Sequence, residues 1–196
     1  MAKDTKQRIL AAALDMFAER GYAATNVREL AESLGLAKSA LYKHFDSKEA
    51  ILDALLDQLT EYYEERFGSE ANMPPTPASM EELRELGLHQ IGFTLRDPSI
   101  IKVRKMLTQE QFRDERLARL ATAHFLEGLT GMYEKIFAQM MEGGAMAKDD
   151  PGLLAMEYVA PVAVLVQLSD REPARTDECM GRIEAHIGRF CASHGN

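Results

Sequence analysis

LGLAKSALYKHFDSKEAIL, residues 34–52, holds Lys38, Lys43 and Lys48 within eleven positions, with Tyr42 and His44 between them and Asp46 and Glu49 as its only acids. Ammonium, phenol and imidazole groups in such a run are hydrogen-bond donors with a positive balance, the chemistry that meets phosphate. The chain around them is acidic, with a net charge of -8. That acid is unevenly placed. Residues 1–50 carry eight Lys/Arg and seven Asp/Glu, net +1, and the remainder is net -9. The first fifty residues are therefore the part free to approach a polyanion.

The elements that must present these donors read as helices throughout, and the expected fold is all-α with about nine helices. There is no convincing period-2 strand, no Asn-Gly or Asp-Gly hairpin and no internal repeat. Ile9, Ala13, Met16 and Phe17 recur at three and four, which predicts a helix over about 5–20 ended by Gly21 in a left-handed cap. Thr25 is placed to cap the next helix, whose inner face is Val27, Leu30, Ala31 and Leu34. Gly35 turns the chain into a short helix over 38–44, with Leu41 and Phe45 inward. Ser47 then caps a long helix with the stripe Ile51, Leu52, Leu55, Leu59 and Tyr62 or Tyr63.

Residues 68–78, GSEANMPPTPA, cannot continue that helix and read as a connection. Further helices are expected from Ser79, from Asp97-Pro98, over about 114–141, from Asp150-Pro151 and from Thr176. Pro161 falls inside one of them and predicts a kink or freed carbonyls.

Two short helices joined by Gly35-Leu36-Ala37 match a helix-turn-helix, whose second helix enters the major groove. Its outward positions are Lys38, Ser39, Tyr42 and Lys43. Lys48 adds a cation beside a helix N-terminus, where free amides also favour phosphate. Arg28, one turn into the first of the two helices, either meets DNA or pairs with Glu32 at i+4.

TNVRELAESLGLAKSALYKHFDSKEAIL, with Phe17 and Gly21 before it, closely resembles the DNA-binding segment of the TetR (tetracycline-repressor) family of bacterial transcription regulators. The resemblance spans about residues 5–52. Beyond residue 60 it extends only to the number and length of helices. Where the family often has Ser, this chain has Ala37, and Ser39-Ala40 replaces Gly-Thr. Ala37 lacks a capping oxygen, and the Ala40 methyl can meet a thymine methyl.

The resemblance implies a DNA-binding domain over 1–50 and a helical effector-binding and dimerisation domain over 51–196. It points to His44 at the DNA backbone, and Thr25 can reach phosphate with its hydroxyl. It also implies a four-helix dimer interface from the last two long helices, burying Met156, Val164, Met180, Ile183 and Ile187. It implies an effector cavity too, for which His89, Phe93, Met106, Phe112, Phe125, Met132 and Tyr133 are the candidates, each equally readable as ordinary core. The expected function is a ligand-responsive regulator, most simply a repressor. It would bind a palindromic duplex operator as a homodimer and be released by a largely apolar small molecule. An activator, a ligand-independent regulator and a helical small-molecule binder that never touches DNA remain open at this level.

Catalysis is not expected: the chain has no HExxH, P-loop, GxSxG, CxxC or GxGxxG, and no metal or cofactor set. No apolar run comes near the roughly 20 residues of a membrane span, and no leader is read at the N-terminus, so a cytoplasmic location is expected. Cys179 and Cys191 are expected to be reduced and buried.

Overall fold

The computed structural model describes residues 2–67 and 73–195. The side chains of Lys3, Leu59 and Tyr63, and residues 68–72 of the expected connection, lie outside the described residues. Among the described residues ten α-helices form: α1 (Ala2–Arg20), α2 (Val27–Ser33), α3 (Lys38–Leu41), α4 (Lys48–Phe67), α5 (Met80–Arg96), α6 (Pro98–Glu110), α7 (Glu115–Thr122), α8 (Gly128–Glu142), α9 (Pro151–Arg171) and α10 (Thr176–His194). Among the described residues the only β pairing is an isolated bridge between Met146 and Gly195.

Helices α7 and α8 are one rod, joined by a single π-turn over Ala123–Glu127, so the helical rods number nine. The Gly128 N–H reaches back five residues to the Ala123 carbonyl. A Cβ at 128 would lie 2.7 Å from that oxygen, so glycine is what lets the turn widen.

The starts of the helices follow local chemistry. Asp97 Oδ1 accepts from Ser99 N at 2.9 Å and Ile100 N at 3.0 Å, with Pro98 as the first helical residue. Asp150 does the same for α9 (2.9 Å from Leu153 N), Ser47 for α4 (3.0 Å from Ala50 N) and Ser79 for α5 (3.2 Å from Glu82 N).

Contacts divide the chain into two units, Met1–Ser69 with Lys102–Ala118, and Glu70–Ile101 with Arg119–Asn196. This differs from a contiguous split at residue 50. Helix α4 runs unbroken from Lys48, and a segment from mid-chain joins the first unit.

In the first unit α1 packs on α2 and α4, and α2 on α3. Ile9, Phe17, Leu30, Leu41, Ile51 and Leu52 are fully buried, each contributing about 1.5–3 kcal/mol of apolar burial. Gly21 (φ +87°) and Gly35 (φ +68°) adopt the left-handed turns expected of them. Helix α3 is shorter than expected. It tightens after Leu41, with His44 N donating to Leu41 O at 2.9 Å, which swings Phe45 back into the core.

The second unit is built from α5, α8, α9 and α10. Its centre is an aromatic cluster in which Phe137, Tyr158 and Phe190 pack with ring centroids 5.0–5.6 Å apart. Pro161 removes the N–H that would bond Glu157 O, and the neighbouring Tyr158 carbonyl lies 3.0 Å from His186 Nε2. Helix α9 corrects the expectation that no apolar run is long enough to span a membrane. By length and composition it is, although a third of its most apolar window is buried within the fold. Cys179 and Cys191 are free and buried. They lie twelve residues apart on α10, about 18 Å along the helix, too far to bridge.

Candidate nucleic-acid interface

Leu41 and Phe45 anchor the turn-and-helix unit inward, which turns the other face of α3 to solvent. Lys38, Ser39, Tyr42 and Lys43 are exposed there, and Ala40 and His44 are half-buried. The Lys38 ammonium lies 5.6 Å from the centroid of the Tyr42 ring. Ser39 and Lys43 have no hydrogen bond or ion pair among the described residues. Ala37 caps α3 without a side-chain bond, as its methyl requires. The structure therefore brings together one small, donor-rich surface.

Three residues assigned to it are used differently. Thr25 is buried, and its hydroxyl donates to Gly21 O at 2.8 Å. The α2 cap is its neighbour Asn26, whose Oδ1 accepts from Arg28 N at 2.8 Å. Arg28 takes the pairing alternative, with Nε 2.8 Å from Glu32 Oε1, and that carboxylate holds its guanidinium further above the usual range.

Lys48 points inward. Its ammonium donates to the carbonyls of Tyr22 (2.9 Å), Thr25 (3.1 Å) and Ala23 (3.3 Å), which occupies all three N–H bonds. It is a clamp on the α1–α2 loop, not a free phosphate donor. Tyr22, whose ring lies under that ammonium, is pushed up to about 12 by burial, with the Glu49 carboxylate adding to it. Glu49 itself is held below the usual carboxylate range, first by its own backbone N–H.

The same loop is held from a second direction, which the sequence does not announce. Glu110, buried at the end of α6, accepts from Ala23 N at 3.5 Å, and Gln109 Nε2 donates to Ala18 O at 3.2 Å. Arg116 pairs with Asp53 at 2.6 Å, and Lys102 pairs with Asp15.

The residues assigned to an effector cavity do not form one set. Tyr133 is buried and Phe93, Phe125 and Met132 are half-buried in the second unit, whereas Met106 is buried in the segment that belongs to the first. His89 faces solvent and Phe112, on the turn after α6, is 88% exposed, so neither lines an interior. Gln90, beside His89, is buried and accepts from the Tyr133 hydroxyl at 2.6 Å.

The residues assigned to a dimer face also separate. Met156 and Val164 stand exposed on α9 together with Leu153. Ile183 and Ile187 are at 0% and 1% exposure in the unit's own core, and Met180 packs against that core. The two isoleucines are thus not available to a partner.

An all-α chain whose N-terminal unit presents a helix-turn-helix with a donor-rich outer face belongs to the helix-turn-helix class. Residues 9–55 match the model of the bacterial regulatory proteins of the tetR family. Over this N-terminal segment the chain is similar to that family.

Among curated relatives, the HTH-type transcriptional regulator YerO of Bacillus subtilis is 45% identical over 49 residues. That stretch is 25% of this chain and 17% of the relative. The HTH-type transcriptional repressor KstR2 of Rhodococcus jostii is 45% identical over 51 residues, 26% of this chain and 25% of the relative. The chain thus matches a quarter or less of the length of these two proteins. KstR2 of Mycolicibacterium smegmatis matches further, at 28% identity over 74% of this chain and 70% of the relative. The triclosan complex of SmeT, the repressor of a Stenotrophomonas maltophilia efflux pump, shares the fold. Its TM-score is 0.72 at 21% identity, covering 98% of this chain and 92% of that one. A Saccharomonospora viridis regulator in complex with choline has a TM-score of 0.73 at 20% identity, covering 95% and 96%.

Proposed function

We propose that the protein is a cytoplasmic transcriptional repressor that binds a palindromic duplex operator as a homodimer and leaves it when a small, largely apolar molecule binds. Reading lies within residues 1–50, and sensing and pairing within 51–196. Its work is binding, with no bond made or broken. The observation that carries this reading is the outer face of α3, where Lys38, Ser39, Tyr42 and Lys43 stand exposed with Leu41 locked behind them.

One such helix reads only a few base pairs, and a two-fold pair doubles the contact and demands half-sites about one turn apart. The exposed Leu153, Met156 and Val164 of α9 are apolar surface for that partner to cover. The named repressors among the relatives, and the small molecules held by SmeT and by the Saccharomonospora protein, support repression and effector release. Release is a shift between two dimer states. Moving it from 1:99 to 99:1 takes an effector preference of about 5.5 kcal/mol.

The test is selection from a random duplex pool at low salt by the full chain, beside Tyr42→Ala and Lys43→Ala. Enrichment of a palindrome, weakened in both variants, is expected. A pool that stays random for the wild type, or equal binding by all three proteins, overturns the reading.

A further inference from the structure

Inside the second unit three neutral polar side chains meet in an otherwise apolar cluster. The Tyr133 hydroxyl donates to Gln90 Oε1 at 2.6 Å, and Tyr158 stands beside Tyr133 with ring centroids 4.5 Å apart. All three are more than nine-tenths buried. Two of their polar atoms, Gln90 Nε2 and the Tyr158 hydroxyl, have no hydrogen-bond partner.

The inventory of protons shows what is left over. Tyr133 uses its single proton on Gln90 Oε1. Gln90 keeps two N–H donors and Tyr158 keeps one O–H. Leucine and phenylalanine would fill the same space without leaving donors unmet in an apolar interior.

The arrangement is also fixed from its surroundings. Gly87 precedes Gln90 by one turn of α5, and a Cβ there would lie 2.1 Å from the Tyr158 hydroxyl oxygen. The glycine is what lets that hydroxyl reach α5. The Tyr133 bond holds Gln90 Oε1, which orients Nε2 the other way.

The charge of a matching group follows. Among the described residues the only buried charged side chains are Arg104 and Glu110, and both belong to the first unit. Burial pushes both phenols far above their usual range, so they stay neutral. A carboxylate would enter without a counter-charge, and an ammonium would bring donors to donors. A carbonyl oxygen accepts from an amide N–H and a phenol O–H and brings no charge.

We propose that Gln90 and Tyr158 are the polar anchor of the effector site, taking an uncharged, mainly apolar molecule by a carbonyl-type oxygen, with Tyr133 as the positioning residue. This rests on reading the chain as effector-responsive. The half-buried Leu86 and Met132, which pack against the same cluster, supply an apolar wall that can adapt to the rest of the molecule.

The test uses the full chain and two matched probe sets, acetophenone, ethylbenzene and benzoate, and benzophenone, diphenylmethane and 4-benzoylbenzoate. Affinity is measured by ligand-observed NMR for wild type, Gln90→Leu and Tyr158→Phe, with Gln90→Met held in reserve against misfolding. In wild type the ketone of at least one set is expected to bind about tenfold more tightly than its hydrocarbon, the worth of one net hydrogen bond. The carboxylates are expected to bind least. The advantage disappears in Gln90→Leu and falls in Tyr158→Phe. The Gln90 side-chain amide resonances of wild type shift with ketone and not with hydrocarbon, a readout that needs no variant.

Equal binding of ketone and hydrocarbon, an advantage that survives in both variants, or no binding by any probe would overturn the proposal and leave the trio as a core network that holds water. Operator selection separates the two readings. If wild type selects no duplex while ketone preference holds, the regulator reading falls and the anchor stands. If selection succeeds and the preference is absent, the anchor alone falls.

Discussion

Lys48 Nζ sits 4.4 Å from the centroid of the Tyr22 ring and donates to the Tyr22 carbonyl at 2.9 Å, so one ammonium grips both the face and the backbone of the same residue. With the carbonyls of Ala23 and Thr25 it closes the α1–α2 loop onto the start of α4. Lys48→Ala is therefore expected to lower stability by about 1–3 kcal/mol in urea unfolding, because charged hydrogen bonds are removed and three carbonyls lose their donor. Lys48→Arg should recover only part, since a planar fork cannot reproduce three converging bonds. An unchanged urea midpoint for Lys48→Ala would rule the clamp out.

Gly21→Ala combines two costs: a residue with Cβ at φ +87°, and a methyl 2.6 Å from Glu110 Oε1. A loss of about 1–3 kcal/mol is expected. Gly21→Ala with Glu110→Ala removes the steric part and leaves the backbone part. The double variant should lose less than the two single losses added together. Strict additivity would mean that Glu110 does not sit over Gly21 in solution.

Tyr42 and Lys43 are exposed and bear little of the fold. Their alanine variants should keep wild-type stability within about 0.5 kcal/mol. If Lys43 meets a phosphate, its loss reduces the slope of log affinity against log salt by about 0.9 and weakens all sequences alike. An unchanged slope in a salt titration would remove Lys43 from the interface.

Val164, 66% exposed on α9, and Ile183, fully buried, answer different questions. Val164→Glu should leave the fold intact and move the protein towards monomer in sedimentation. Ile183→Ala should cost about 2–5 kcal/mol through the cavity it leaves. A Val164→Glu protein that sediments as wild type would place the partner surface elsewhere.

The acid limb of stability has a named contributor. The Glu49 carboxyl is held low in the fold, so the stability it adds is complete above the ordinary carboxylate range and is lost as pH falls through its lowered value. The gap between wild type and Glu49→Gln should be full at pH 7 and close on acidification below about pH 4. A gap independent of pH would show that the variant acts by packing alone.

Much of this was legible in the chain because it is local. Ser47, Ser79, Asp97 and Asp150 cap helices within three residues of themselves, and Gly21 and Gly35 turn the backbone where they stand. The α2 cap was misplaced by one residue because Thr25 and Asn26 both have capping oxygens, and only packing sends Thr25 inward.

What depends on distance was not legible. Glu110 reaches Ala23 across 87 residues, and no periodicity records that. Apolar type does not reveal direction either. Ile183 and Val164 read alike in a stripe, yet one lies in the core and the other in solvent. In the sequence His89 draws notice and Gln90 beside it does not, because glutamine reads as surface until a tyrosine is found bonded to it.

The π-turn at Ala123–Glu127 makes the rod from Glu115 to Glu142 one residue longer than its turns require. In a regular helix one extra residue would turn everything downstream by about 100°, and the wide turn absorbs it. Leu126 and Leu129 are left exposed at the wide turn, and Ile136, Phe137 and Met140 beyond it are buried. Deleting a single residue there would restore a regular helix and leave the downstream trio facing its core, whereas a further added residue, with no second wide turn to absorb it, would rotate the trio out. Along this rod the length of the chain is as much a packing determinant as the identity of its side chains.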